Sequence, residues 1–286
     1  MKKNVLIIGA ISLMLAFTGC GNTNSGEVSS AAAQKEINPQ ELLTSVSNKM
    51  AEVKSYEAVT DINFKVASQG QELNMDMDMN MKVINAPSLT MQVDSKTKMA
   101  MGEETQNIDM AMYLEPAEGG YTFYQNLDDA WYKTSIATED EVANYIKAPG
   151  NTVDEYIGLS DGVTQGEDET VNGVDCYKLL VNIPVSKLGE LMNQMGSIGA
   201  SAESMLGSIA EAEDFAIEML VSQEDETLVQ VRMDLSDIMK NALKGQEGVE
   251  EKDLESIEFG MNMSFSNLEG VNEIVIPEEA KSATEM

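Results

Sequence analysis

The sequence predicts an α+β fold in which a long antiparallel sheet curves into a half-open β-barrel, with helices covering its concave face. Three observations lead there. From Leu73 to Val83, apolar Leu73, Met75, Met77, Met79, Met81 and Val83 alternate without exception with Asn74, Asp76, Asp78, Asn80 and Lys82. A period of two puts one side of a strand against a core and the other in water, as in an antiparallel sheet wetted on one face. The same alternation recurs through Ile62-Phe64-Val66, Leu89-Met91-Val93, Met99-Met101 and Ile108-Met110-Met112-Leu114. Steps of three and four, the mark of helices, are confined to the segments before, between and after these strands.

The chain opens on an export signal. Lys2 and Lys3 precede an almost wholly apolar run from Val5 to Phe17, and Thr18, Gly19 and Cys20 follow. The run is too short to span a bilayer, which needs about 20 residues. Small residues just before a cysteine resemble the lipobox of bacterial lipoproteins, with Phe17 where Leu is usual. There the cysteine receives a diacylglyceryl group and becomes the new N-terminus. Residues 1–19 are therefore expected to be a lipoprotein signal peptide, and Cys20 the lipidated residue. Two acyl chains anchor a protein firmly where one would not.

Residues 20–37 read as the lipidated cysteine and a small, polar, flexible tether. Asn38-Pro39-Gln40-Glu41 then has the chemistry of a helix start: Asn38 as N-cap, Pro39 in the first turn and Glu41 at the capping-box position. Leu42, Leu43, Val46, Met50 and Val53 share one face of that helix. Four long strands follow, joined at Ser68-Gln69-Gly70-Gln71, Asn85-Ala86-Pro87-Ser88 and Gly102-Glu103-Glu104, all with turn-forming residues. The strand from Leu73 to Val83 alone reaches ~37 Å at about 3.4 Å per residue. Two aromatic segments, Tyr121–Tyr124 and Trp131–Lys133, form a further hairpin.

A helical interlude is expected from Thr138, broken at Pro149-Gly150-Asn151 and resumed near Thr152. Asn172-Gly173 joins another strand pair ending at Ile183. A long amphipathic helix is expected from Val185 to about Ile209, loosened by Gly189, Gly196, Gly199 and Gly207. Alternation returns at Phe215–Val221, Leu228–Leu235 and Ile257–Phe265, with a short helix from Ser236 to Leu243. These elements make a single domain over residues 38–281, followed by a tail at 282–286, with one core and no short-period repeat.

Composition narrows function. With 49 Asp and Glu against 18 Lys and Arg, the formal net charge is −31. Such a field repels phosphate backbones, so no nucleic-acid role is expected. The chain has no His, which removes the commonest general base and metal ligand. Neither a catalytic residue nor a cofactor is expected. Cys176 lies in a strand, and with Cys20 carrying lipid it has no disulfide partner; it reads as a small packed residue. Met75, Met77, Met79 and Met81 put four thioethers on one strand face, a soft set that could hold Cu(I), but without His or Cys beside them packing is the better account. Asp76 to Asn80 resembles a calcium loop only until Met81 and Pro87 occupy the places that need Gly and Glu. No metal site is expected. The acidic clusters Glu103-Glu104, Glu139-Asp140-Glu141, Glu167-Asp168-Glu169 and Glu224-Asp225-Glu226 sit at turns or helix starts, where solvation explains them.

The order of elements, the hairpin ending in Ala130-Trp131-Tyr132-Lys133, the stretch Thr170-Val171-Asn172-Gly173-Val174-Asp175-Cys176-Tyr177-Lys178 and the closing Ile274-Val275-Ile276-Pro277-Glu278-Glu279-Ala280 resemble an uncharacterised lipoprotein family of Gram-positive bacteria related to the LolA and LppX fold. The resemblance covers about residues 38–281. It implies a half-open barrel whose concave apolar face is roofed by helices and receives lipid acyl chains. No ligand-contacting position transfers individually.

Twenty-one Met in 286 residues lead to the same place from physics. Met is unbranched and polarizable, suited to surfaces that fit more than one apolar shape. The expected lining of a hydrophobic-ligand cavity is Phe64, Met75, Met77, Met79, Met81, Met91, Val93, Met99, Met110, Met112, Met261 and Met263. Two functions remain. The first is a lipid or other hydrophobic-ligand carrier, not an enzyme, tied by Cys20 to the outer face of the cytoplasmic membrane. The second is an envelope interaction or sensory module in which the same Met fill a closed core and the sheet is a scaffold for a protein partner.

Overall fold

In a period-two segment of this length every second side chain seeks the same apolar layer, so neighbouring strands must pair in register to share it. They do. The computed structural model describes residues 37–68, 71–102, 104–127, 130–136, 149–194, 214–244 and 254–285. Helix α1 (Pro39–Glu52) leads into a meander of β1 (Ser55–Ser68), β2 (Gln71–Ile84), β3 (Thr90–Met101), β4 (Glu104–Ala117), β5 (Gly120–Leu127) and β6 (Ala130–Ile136). Helix α2 (Pro149–Leu159) precedes β7 (Gly162–Gln165), β8 (Glu169–Val171) and β9 (Val174–Ile183). A 3-10 turn (Val185–Lys187) and α3 (Leu188–Gln194) follow, then β10 (Phe215–Ser222), β11 (Leu228–Asp234), α4 (Ser236–Lys244), β12 (Leu254–Ser266), α5 (Glu278–Lys281) and β13 (Thr284–Glu285).

All thirteen strands among the described residues belong to one sheet, ordered β13-β6-β5-β4-β3-β2-β1-β12-β11-β10-β9-β7, with β8 paired to β9. The outermost strands do not pair with each other, so this curved sheet stays open, as a half-barrel. Every pairing is antiparallel except β13 on β6. Between β8 and β9, Asn172 and Gly173 have φ of 53° and 84°. Both central positions are left-handed, as a two-residue hairpin turn that follows the sheet's twist requires.

The helix start is built as its residues demand. Asn38 Oδ1 accepts from the Glu41 backbone N at 3.3 Å, and Pro39 takes the first turn, where a missing N–H costs nothing. The apolar face of α1 is buried at Leu42, Leu43, Val46 and Met50. It joins Val153 and Tyr156 of α2, Leu191 of α3, and Tyr56, Val83, Leu179, Val181, Ile183, Ile217 and Met219 of the sheet in the main core. Ser47 on α1 donates to the Asp154 carboxylate on α2, pinning the two helices together. Burial drives Tyr56 and Tyr156 to hydroxyl pKa values above the ordinary 10.0.

Three expectations change. Pro149-Gly150-Asn151, read as a break, is the opening turn of α2; proline is compatible with a first turn although it stops a helix elsewhere. The segment expected as a tail instead adds β13, where Thr284 pairs with Tyr132. A second layer also exists, on the outward face of the sheet. There Ile274, Ile276 and Ala280 cover Tyr113, Tyr124 and Trp131, and the Tyr113 and Trp131 rings lie 5.8 Å apart. A third group, Val171, Cys176, Leu220 and Val229, packs on the same outward side. Of the long helix expected from Val185, the 3-10 turn and α3 reach Gln194; the rest, like the segment from Thr138, lies outside the described residues.

Candidate functional site

Four inward rungs cross the middle of the sheet in register. Each is read from β12 through β1, β2 and β3 to β4. They are Phe265-Ala58-Met81-Val93-Met112, Met263-Thr60-Met79-Ser95-Met110, Met261-Ile62-Met77-Thr97-Ile108 and Phe259-Phe64-Met75-Met99-Gln106. None of these positions carries a charge. The opposite face of the same strands carries Asp61, Asp78, Lys96 and Asp109 in a single rung.

Helix cover is graded along the strands. Near the start of β1, Tyr56, Val83, Met91 and Leu114 are sealed in the core. Toward the far ends of β3 and β4, Met99, Ile108 and Met101 are 36%, 42% and 64% exposed. Between these limits, Phe64, Met75, Met77, Met79, Met81, Met110, Met112, Met261 and Met263 are all half-buried. Phe64 meets Phe259 edge to face at 5.8 Å, and Gln125 Nε2 reaches the Met110 sulfur at 3.1 Å.

The structure therefore gathers ten of the twelve expected lining residues on one incompletely covered apolar face. Met91 and Val93 share the face but belong to the closed core, each 4% exposed. They sit at the helix-covered end of β3 and cannot line an open surface. The residues missed are Ala58 and Thr60 on β1. Both are 1% exposed and form the floor between the Met-bearing strands. Being small or polar, they leave no mark in an apolar-alternation pattern.

Where α2 crosses β11 and β12, Thr152, Val153 and Tyr156 face Leu228, Val231, Met261, Met263 and Phe265 across a crevice of about 10 Å³. That is room for roughly one water. At this end, side chains fill the space between sheet and helix.

Cys176 is wholly buried on the outward side, its thiol directed to the Val174 carbonyl at 3.4 Å. Burial raises its pKa, the opposite of what a nucleophile needs. Beside it on that face, Glu169 bridges Lys178 at 2.9 Å and Arg232 at 2.6 Å. Glu218 lies 3.4 and 3.7 Å from the same two cations. Partial desolvation pushes the Glu169 carboxyl up, but hydrogen bonds and attraction from Lys178 and Arg232 outweigh it and hold the pKa below the ordinary range. This is an ion-pair network spanning four strands, β8 to β11.

Residues 38–285 match a protein family described as a family of unknown function, DUF6612. The chain belongs to the DUF6612 family. No curated protein is significantly similar to it. Among solved structures, this DUF6612 chain is similar to LprF from Mycobacterium bovis, at 14% identity over 85% of this chain and 97% of that one, with a TM-score of 0.47. It is also similar to the lipoprotein LppX from Mycobacterium tuberculosis, at 12% identity over 82% and 99% of the two chains, with a TM-score of 0.44. At that distance the likeness carries no ligand and no role to the DUF6612 chain.

Proposed function

We propose that this chain is a membrane-anchored extracytoplasmic lipoprotein that binds or carries a lipid or other hydrophobic ligand on the inner face of its sheet. The observation that supports it is the graded cover. One uncharged, thioether-rich face runs from a sealed core at Met91 to 64% exposure at Met101 without a polar interruption of the apolar stripe on β2. Soluble proteins seldom leave so extended an apolar face open without a use for it. Unbranched Met side chains let it adapt to more than one ligand shape. Apolar area taken from water there would drive binding at roughly 25 cal/mol per Å².

The anchor follows from the sequence. Cys20 behind a short apolar run and two lysines is the residue to carry diacylglyceryl, with residues 21–37 as the tether and residues 38–285 as the ligand-binding domain. The protein then sits at the outer face of the cytoplasmic membrane. The chemistry of the inner rungs supports a carrier and not an enzyme: they hold thioethers, hydrocarbons, three hydroxyls and one amide, with no acid, base or activated nucleophile among them.

The experiment is detergent-free purification of the protein with Cys20 changed to Ser, released into the soluble fraction, followed by mass spectrometry of the organic extract. Recovery of a lipid near one equivalent per chain is the expected result; an extract indistinguishable from that of an unrelated secreted protein refutes ligand carriage. Loss of membrane association in Cys20→Ser checks the anchor separately. The filled crevice under α2 favours a second reading, in which the sheet is a rigid scaffold for an envelope protein partner. An empty extract, together with a stoichiometric partner cross-linked through the exposed ends of β3 and β4, would favour it.

A further inference from the structure

The side chains at the centre of the inner face differ in length from strand to strand. On β1 the inward residues Ala58 and Thr60 are short, whereas their partners on either side are long: Met81 and Met79 on β2, and Phe265 and Met263 on β12. The two rows stand about 10 Å apart, twice the spacing of paired strands. Between them Ala58 and Thr60 form a dip two rungs long, bounded on β1 by Tyr56 at one end and Ile62 at the other. In its floor the Thr60 hydroxyl is buried, the residue being 1% exposed, and it has no hydrogen-bond partner.

That hydroxyl is out of place on stability grounds. A buried donor left unpaired forfeits its hydration and receives nothing in return, while Val has nearly the same shape and would fill the site without penalty. Buried polar groups are otherwise satisfied with few exceptions, so an orphan in the middle of a candidate binding face marks a place where a partner from outside the chain would be accepted.

We propose that Thr60 is the polar anchor of the ligand site, donating its hydroxyl to a carbonyl of an uncharged acyl ester, such as a diacylglycerol, whose chains lie between the methionine rows. This rests on the reading that the inner face takes a hydrophobic ligand and adds the ligand's class. Met79 and Met263 flank Thr60 directly and are half-buried. Their unbranched side chains can swing aside to admit the ester. The class follows from charge. No cation stands on the four inner rungs, so a carboxylate or phosphate drawn down to Thr60 would be desolvated without compensation. The net charge of −31 also repels anionic lipids before they arrive. A neutral ester has an acceptor to offer and no charge to bury.

The test uses the full lipidated protein in phosphatidylcholine vesicles, read by energy transfer from its single Trp, Trp131, to pyrene. Three probes are compared: a pyrene-labelled diacylglycerol, a pyrene-labelled fatty acid at pH 8 and a pyrenylalkane. The wild type should favour the diacylglycerol over the ionised fatty acid by about tenfold or more. Thr60→Val should weaken diacylglycerol binding about three- to tenfold, the worth of one neutral hydrogen bond, and leave the alkane unchanged. Thr60→Ser should keep most of the wild-type affinity. Thr60→Val should also unfold no earlier than the wild type, which separates lost binding from lost structure. If Thr60→Val binds the diacylglycerol as tightly as wild type, the anchor is wrong while the hydrophobic site stands. If the fatty acid binds equally well, the uncharged class is wrong. If the wild type binds none of the three, the hydrophobic-ligand reading itself fails.

Discussion

Asp61 on β1 stands directly opposite Asp78 on β2 on the outward face, so that a proton held by Asp61 is shared with Asp78 as a hydrogen bond. Partial desolvation, the Asp78 charge and that shared hydrogen bond together raise the Asp61 pKa above the ordinary 3.8. The folded state thus holds the proton more tightly than the unfolded chain does. This contribution to stability is complete below about pH 3.8 and is lost as pH rises through the raised value. Like charges directly opposed across a strand pair are destabilising. Both groups are solvated, so the effect at neutral pH is small. Asp61→Asn should stabilise the fold at pH 7 by about 0.5 kcal/mol and flatten the stability profile just above pH 4. Urea titrations at pH 4, 5 and 7 check it, and a destabilised variant at pH 7 would contradict it.

Glu169 has the opposite sign. Its carboxyl is held below the ordinary 4.5 by Lys178 and Arg232, against the upward push of desolvation. Its stabilisation is present above about pH 4.5 and disappears as pH falls through the lowered folded value. Glu169→Gln leaves Glu218 to face both cations, so the loss at pH 7 should be about 1 kcal/mol and should fade toward pH 3. Thermal melts of both proteins across that range give the answer; a loss independent of pH would mean packing, not charge, is responsible.

Cys176 should be silent. It is fully buried and its thiol pKa is raised by burial, so the folded protein should not react with dithionitrobenzoate at pH 8 over minutes, whereas urea should expose it at once. With Cys20 capped by lipid, the unfolded mature protein should release one equivalent of thionitrobenzoate. Two equivalents would show that Cys20 is free.

Methionine should not be one kind of residue in this chain. Met50 lies wholly inside the main core and Met101 is 64% exposed at the end of β3. Met50→Ala should cost about 2–5 kcal/mol through lost transfer energy and the cavity left behind. Met101→Ala should change stability by less than about 0.5 kcal/mol. Equal losses in chemical denaturation would mean the far end of the inner face is as closed as the core.

Much of this architecture was legible because its signals are local. Unbroken alternation from Leu73 to Val83 could be satisfied only by a strand with one buried face, and Asn172-Gly173 could hardly be other than a tight hairpin. Pro149 misled because the same fixed backbone angle that ends a helix also suits its first turn. The outward cover by Ile274, Ile276 and Ala280 was illegible, since Tyr113 and Trp131 look like solvated positions until the C-terminal segment folds over them.

The candidate site divides in the same way. That Met75, Met77, Met79 and Met81 face one side of β2 follows from the period of the chain alone. That Thr60 is sunk between Met79 and Met263 does not, because those partners are 19 and 203 positions away in sequence. By itself the sequence determined the strands and the side each one buries, because period and turn chemistry act over a few neighbouring residues. Only tertiary structure decided which methionines are sealed and which stay open, and that a hydroxyl lies unpaired in the floor between them. Register and helix cover bring together residues far apart along the chain, and burial is a property of that assembly.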